Sequence, residues 1–331
     1  MKERQALFFE APYQVAVRRE PIPAQLDGQA LVRTKLSAIS AGTEMLFYRG
    51  QFPTDLAIDK TITSLQEQSG YPLKYGYAAV GIVEKLGDNF PEPLLGKRVF
   101  SFQTHQSHFV AAKEELILIP NAITDEDAVF LPNMETAVNL VMDARPLIGE
   151  RVIVFGQGVI GLLTTALLTQ FPLENLTVVD PYPLRRQAAL DLGANAALAP
   201  DSPELAAIAE FDLAIELSGT PEALNTCIAK VGYAGRIIVG SWYGQKPVTL
   251  DLGGRFHRDR IQLISSQVST IAPQFSARWD KPRRFDVVWE MLKRVKPAKW
   301  ISLRIPLEKA EQAYITLDTR PQDVLQIVFE Y

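Results

Sequence analysis

The sequence has one cysteine, Cys227, and three histidines, His105, His108 and His257, in 331 residues. A single thiol excludes an intrachain disulfide and any zinc cluster built from several cysteines, and it fits a reducing compartment. Cys227 lies in "PEALNTCIAKV", a helical pattern in which a thiol behaves as a small packed hydrophobe. Long apolar runs are also missing: stretches such as "VIGLLTTALL" fall far short of the roughly 20 residues that cross a bilayer. The start "MKERQALFFEAPYQ" has no charged region leading into an apolar core and a small-residue cleavage site, so no secretory leader is expected. No sign of charge dominates, since 34 Lys and Arg against 38 Asp and Glu leave a net −4. That balance gives no long-range attraction to nucleic acid or to an anionic membrane. The expectation is a cytoplasmic protein with a small-molecule substrate and neither a nucleic acid nor a membrane as partner.

With 47% hydrophobic and 22% charged residues, the chain is long enough for two cores. Its first 120 or so residues carry short β-rich runs ("QVAVRR", "QALVRTKLSAIS", "AAVGIVEKLG", "KRVFSF", "HFVAA", "LILIP") broken by glycine and proline, which predicts a small barrel or sandwich. The texture changes at Thr124, a helix cap followed by acidic residues and the long helical pattern "DEDAVFLPNMETAVNLVMDA". The expected boundary falls there, with residues 124–295 as one domain and 1–123 plus 296–331 as the other. Beyond it, apolar strands "RVIVFG", "LTVVD", "DLAIELSG" and "GRIIVGS" alternate with helices. The chain is therefore α/β, with a parallel sheet covered on both faces. The tail "LEKAEQAYITLDTRPQDVLQIVFEY" reads helix, turn, strand. Residues 49–71, "RGQFPTDLAIDKTITSLQEQSGY", are the least patterned and a candidate flap.

The strand "RVIVF" runs straight into "GQGVIGLL", placing Gly156, Gly158 and Gly161 in G-x-G-x-x-G spacing with Val159 and Ile160 at the helix start. In this context the first glycine permits a tight turn, the second lets backbone approach a pyrophosphate, and the third lets helix pack on strand. Asp180 follows at the end of the next strand, 19 residues after Gly161. A carboxylate there accepts the hydroxyls of an adenosine ribose and repels a 2′-phosphate, favouring NAD over NADP. Arg185 and Arg186 keep NADP open, although both also fit a solvated helix face. Ser218, Gly219, Gly240 and Ser241 stand at the ends of later strands, where a parallel sheet opens its ligand crevice.

The β-rich start, the inserted nucleotide domain and the returning tail resemble the medium-chain dehydrogenase/reductase superfamily, the relatives of the zinc alcohol dehydrogenases. The stretches that carry the likeness are "SAISAGTEM", "YPLKYGYAAVGIVEKLG", "VIVFGQGVIGLL", "VVDPYPLRRQAALDLGA", "AIELSG" and the tail. The resemblance implies a GroES-like β-rich barrel domain, a Rossmann doubly wound parallel-sheet domain, and a homodimer or homotetramer. Zinc-bearing members have a cysteine ligand in the first stretch and glycine, histidine, glutamate in the second. Here those places hold Ser40, Tyr77 and Ala78, so the resemblance implies a zinc-free member. Together "ISAGTEMLFYRGQFP" and "YPLKYGYAAVG" look most like the subgroup of the bacteriochlorophyllide dehydrogenase that oxidises a tetrapyrrole hydroxyethyl group. That subgroup shares the tyrosine but keeps a glutamate where this chain has Ala78.

Hydride transfer from an alcohol carbon requires a group to take the hydroxyl proton. The resemblance places Tyr77 where a metal ligand would face the nicotinamide, at the floor of a cleft between two domains. Its phenol is the leading candidate to bond the reacting oxygen, and a strand tyrosine filling core is the alternative. Thr43 and Glu44 are candidates to relay a proton or tune Tyr77; they equally fit a helix cap with an acidic first turn. By the same resemblance Glu135 and Thr136 lie near the nicotinamide, with Thr136 contacting cofactor and Glu135 a catalytic candidate whose alternative is a partly solvated acid. His105 is a candidate general acid. The spacing of His105 and His108 argues against a shared metal if both lie on a strand. Ser266 and Gln267 end the apolar run of the basic stretch "GGRFHRDRIQLISSQ" and are candidates to reach the cofactor. The expected activity is a zinc-independent, NAD-preferring interconversion of a secondary alcohol and a carbonyl on a moderately large substrate. The rivals are a zinc-free quinone or enone reductase and a non-catalytic nucleotide sensor.

Overall fold

The computed structural model describes residues 3–24, 27–52, 62–65, 70–91, 93–208 and 210–331. The candidate flap falls largely outside them. The chain divides into two compact units, Met1–Pro132 with Lys296–Tyr331, and Asn133–Val295. This division comes after Pro132 rather than after residue 123, for an electrostatic reason. Thr124 does cap a helix, its hydroxyl accepting from Asp127 N–H at 3.0 Å, but that helix is the short Asp125–Ala128 and a separate one runs from Leu131 to Ala144. Asp125 pairs with Lys35 at 2.5 Å and Arg98 at 2.8 Å, and Asp127 accepts from Ala298 N–H at 2.9 Å. The acidic turn is thereby bonded into the first unit.

That unit is built on strand Gln29–Ala38, whose alternating burial turns Ala30, Val32, Thr34 and Leu36 inward, as a two-residue period requires. It pairs along one edge with Ala79–Leu86 and along the other first with His108–Ala112 and then with Gln326–Glu330. The last of these comes from the tail, which therefore completes the sheet. Outer strands are Arg98–Ser101, Ile117–Leu118 and Ile301–Pro306, and Glu3–Ala11 with Gln14–Pro21 forms a separate ribbon. One core is aromatic: Phe47 stacks on Tyr75 at 4.1 Å between centroids, and Phe9 meets Tyr314 edge-on at 5.1 Å. Such pairs contribute about 0.5–1.5 kcal/mol each beyond the area they bury.

The second unit is a six-stranded parallel sheet ordered Ala196–Leu198, Asn175–Val179, Arg151–Phe155, Phe211–Glu216, Val231–Val239, Gln262–Ser265. In chain order this is 3-2-1-4-5-6, the doubly wound arrangement whose ligand crevice opens beyond the carboxyl ends of the strands. Three of the inner strands, Asn175–Val179, Arg151–Phe155 and Phe211–Glu216, are buried almost throughout, which is why they read as apolar runs. Cys227 packs wholly buried in this core, and burial pushes its thiol up, away from reactivity. Among the described residues no helix is long and apolar enough to cross a membrane.

Candidate functional site

The turn after strand Arg151–Phe155 shows why each glycine is there. Gly156 has φ +90°, and a Cβ on it would lie 2.7 Å from the Leu217 carbonyl and the Ser218 nitrogen. A Cβ on Gly161 would lie 2.0 Å from the Gly156 oxygen. Both are demanded by the protein's own packing. Gly158 is different, because nothing lies within 4 Å of its Cβ position. The fold tolerates a side chain there, at the N-terminus of helix Val159–Leu168, and a pyrophosphate bound at such a terminus would not. Val159 and Ile160 are half-exposed in the first turn of that helix. Gly158→Ala is expected to change stability by less than about 1 kcal/mol yet weaken dinucleotide binding about tenfold or more. NADH fluorescence titration beside thermal melts checks this; equal loss of both would assign Gly158 to packing.

Asp180 sits at the end of strand Asn175–Val179 and is 2% exposed. Its carboxylate accepts from Gln157 N–H at 2.7 Å and Tyr182 N–H at 2.9 Å, tying the glycine turn to the next strand. Each oxygen keeps lone pairs for ribose hydroxyls. Arg185 lies 3.8 Å from this carboxylate and over the Tyr182 ring, while Arg186 donates to the Asp180 and Pro181 carbonyls. Arg186 is thus occupied with backbone rather than free on a solvated face. At the next strand end, wholly buried Glu216 accepts from Ser218 N–H and hydroxyl, Gly219 N–H and the Tyr243 phenol, at 2.6 to 3.0 Å. It fixes the Ser218–Gly219 loop, a role foreshadowed only by a lone charge closing an apolar strand. Burial chiefly, then Glu216, pushes the Tyr243 phenol up, so it stays a donor. Gly240 answers to packing, because a Cβ there would lie 2.6 Å from Leu140 and Leu217.

In the first unit Tyr77 is half-buried on an extended segment just before strand Ala79–Leu86, not within it. Its ring meets Tyr75 edge-on and its hydroxyl is hydrogen-bonded to Ser40 Oγ. Gly76 beside it has φ +115°, and a Cβ there would press to 2.8 Å on the His105 ring. Around that ring lies a polar cluster that is wholly buried at Ser37, Glu44, His105 and Tyr314. The Glu44 carboxylate accepts from Ser40 N–H at 2.7 Å, His105 Nε2–H at 3.1 Å and the Tyr314 hydroxyl at 2.6 Å. Because a carboxylate only accepts, His105 carries its proton on Nε2. His105 Nδ1 is bonded to Ser37 Oγ at 2.6 Å, and Ser37 Oγ to the Tyr331 hydroxyl at 2.7 Å. Burial first, then Glu44, raises the Tyr314 phenol, and burial raises Tyr331. Both therefore remain protonated donors at neutral pH.

His105 has both nitrogens engaged, by Ser37 and Glu44, and no exposed surface. Glu44 likewise holds the helix Ala41–Tyr48 by its first turn, and half-buried Thr43 contributes its N–H to Ser40 O at 3.0 Å. His108 lies apart, half-buried and 3.6 Å from Glu84. In the second unit Glu135 is bound by wholly buried Arg284 at 2.6 Å, a structural ion pair rather than an open acid. Burial raises its pKa and Arg284 opposes that rise. Thr136 beside it is half-exposed. Ser266 is drawn to Asp143 and Asn139 instead of outward. Within "GGRFHRDR", His257, Arg258 and Arg260 are exposed, and Arg255 pairs with Glu210 and Asp259.

A catalytic zinc takes three protein donors from cysteine, histidine and carboxylate. Around Tyr77 the donors are a phenol, a serine hydroxyl, an imidazole bonded through both nitrogens and a carboxylate bonded through both oxygens. That set does not fit the metal. Among the described residues no group of three His, Cys, Asp or Glu side chains is placed to hold one.

A strand order of 3-2-1-4-5-6 joined to a β-rich unit that recruits the tail is the fold of the medium-chain alcohol dehydrogenases. No family model matches the chain. An L-threonine 3-dehydrogenase of Legionella pneumophila (strain Corby) is 27% identical over 129 residues, 37% of this chain and 38% of that relative. The chain thus matches well under two thirds of that relative's length. The starvation-sensing protein RspB of Escherichia coli K12 is 21% identical over 335 residues, covering 90% of each chain. Among solved structures, an alcohol dehydrogenase from Escherichia coli CFT073 complexed with NADH superposes with a TM-score of 0.80 at 19% identity, covering 99% of each chain.

Proposed function

We propose that this chain is a nicotinamide-dependent oxidoreductase that interconverts a secondary alcohol and its carbonyl without zinc. The observation that carries the reading is Gly158, open where Gly156 and Gly161 are closed, beside Asp180 at the next strand end. The cofactor, when bound, supplies the hydride carrier. The chain supplies a helix N-terminus for the pyrophosphate and Asp180 for the ribose, and its negative charge favours NAD over NADP. Tyr77 bonds the reacting oxygen, donating during reduction and accepting during oxidation. A free phenol has a pKa near 10, so Tyr77 works as a base only with help, and Ser40 Oγ is the partner bonded to it.

Glu44, His105, Ser37, Tyr314 and Tyr331 hold that pair rigidly by fixing the Ser40 backbone and the loop at Gly76. They do in hydrogen bonds what ligation does in zinc-bearing relatives, so the phenol stands in for the electrophile. A substrate profile with oxidised and reduced cofactor tests the reading. Oxidation of secondary alcohols, including hydroxyethyl groups on large rings, is the expected result. Reduction of enones or quinones with no alcohol oxidation would refute it.

A further inference from the structure

Helix Leu131–Ala144 carries Glu135, Asn139 and Asp143 four residues apart on one face, all at least nine-tenths buried. This polar stripe in an apolar setting is organised by one side chain, Arg284 of helix Lys281–Val295, itself fully buried. Its guanidinium donates to Glu135 Oε1 at 2.6 Å, Asn139 Oδ1 at 2.8 Å and the Val268 carbonyl at 2.6 Å, with a longer contact to the Thr270 carbonyl at 3.4 Å. Asn139 donates to Ser266 Oγ at 3.0 Å, and Ser266 donates to Asp143 at 2.6 Å. The backbone leaving the last parallel strand, Gln262–Ser265, is thus tied at 266, 268 and 270.

A buried ion pair seldom adds stability over apolar residues of the same volume, so its retention asks for another reason. The segment it grips lies beyond the carboxyl end of a strand in the second half of the sheet. A dinucleotide spans both halves, with its adenosine ribose at Asp180 in the first, and so its nicotinamide lies toward the second. We infer that Arg284, with Glu135 and Asn139, is a positioning residue that sets the main-chain path of Val268–Thr270 as the wall seating the nicotinamide carboxamide. The inference rests on the dinucleotide reading above. A planar amide needs main-chain donors and acceptors at fixed places, and a forked guanidinium holding two carbonyls provides that fixity where a lysine cannot.

Titration of the full chain with ADP-ribose, which lacks the nicotinamide, and with NADH separates positioning from general stability. Arg284→Lys is expected to leave ADP-ribose affinity within about twofold and to weaken NADH about tenfold, the size of a lost charge-assisted hydrogen bond. Should the lysine variant fail to fold, the paired change Glu135→Met with Arg284→Met removes both charges together and is expected to show the same split. Equal weakening of both ligands, or of neither, in a folded variant overturns the inference. A wild-type chain that binds neither ligand overturns the dinucleotide reading and this one with it. The split is read without turnover, so failure of the alcohol and carbonyl assignment alone leaves it standing.

Discussion

Tyr77→Phe is expected to lower kcat for alcohol oxidation by about 10² to 10⁴, the usual contribution of a positioned acid or base, while NADH affinity stays at the wild-type value. The substitution removes one oxygen from a half-buried ring whose packing on Tyr75 is through carbon, so the fold survives it. What is lost is the hydroxyl bonded to Ser40 Oγ, and with it the group proposed to meet the reacting oxygen. Ser40→Ala is expected to cost less, because the phenol remains to touch substrate and only its partner is gone. Steady-state rates set beside cofactor titrations check both. If the phenylalanine variant turned over normally, Tyr77 would be a packing residue and the proton would move elsewhere.

The second large effect is on stability. Glu44→Ala leaves three buried donors, the Ser40 N–H, His105 Nε2–H and Tyr314 hydroxyl, without an acceptor. Each unsatisfied group costs about 1–3 kcal/mol. At the lower end of that range the three together cost about 3–5 kcal/mol, the loss seen when one member of a buried ion pair is removed. Against a total stability of about 5–15 kcal/mol, that is a large share. Glu44→Gln retains an oxygen but turns an NH2 toward one of the donors, so it falls between wild type and alanine. Denaturant unfolding followed by circular dichroism measures the order; a wild-type midpoint for alanine would show that the cluster contributes nothing. Because the chain has two units, the loss is expected in one transition only, that of the unit carrying Glu44.

The parallel-sheet half was legible because its signals are local. The glycines of the turn lie within six residues, 156 to 161, and the inner strands are short, continuous and apolar. Its edges were not: Ala196–Leu198 and Gln262–Ser265 have only three and four residues, the first half-buried and the second largely exposed, so length does not mark them. Glu3–Ala11 and Ile301–Pro306 escaped for a related reason, since edge strands carry charged residues among the apolar ones. The buried cluster could not be read at all. Glu44 meets His105 across 61 residues and Tyr314 across 270, and Ser37 meets Tyr331 across 294. Residue chemistry singled out Glu44 and His105, but not the partners that each one binds. The partner of Glu135 was out of reach in the same way, because Arg284 lies 149 residues on.

The central claim is that a phenol held by serine and a buried organic cluster replaces the metal. Its most direct test is to strip the full chain with a strong chelator, measure zinc by elemental analysis, and assay alcohol oxidation before and after zinc is restored. The account predicts the same turnover at vanishing zinc content as with zinc added. Turnover that rises and falls with one zinc per chain would contradict it.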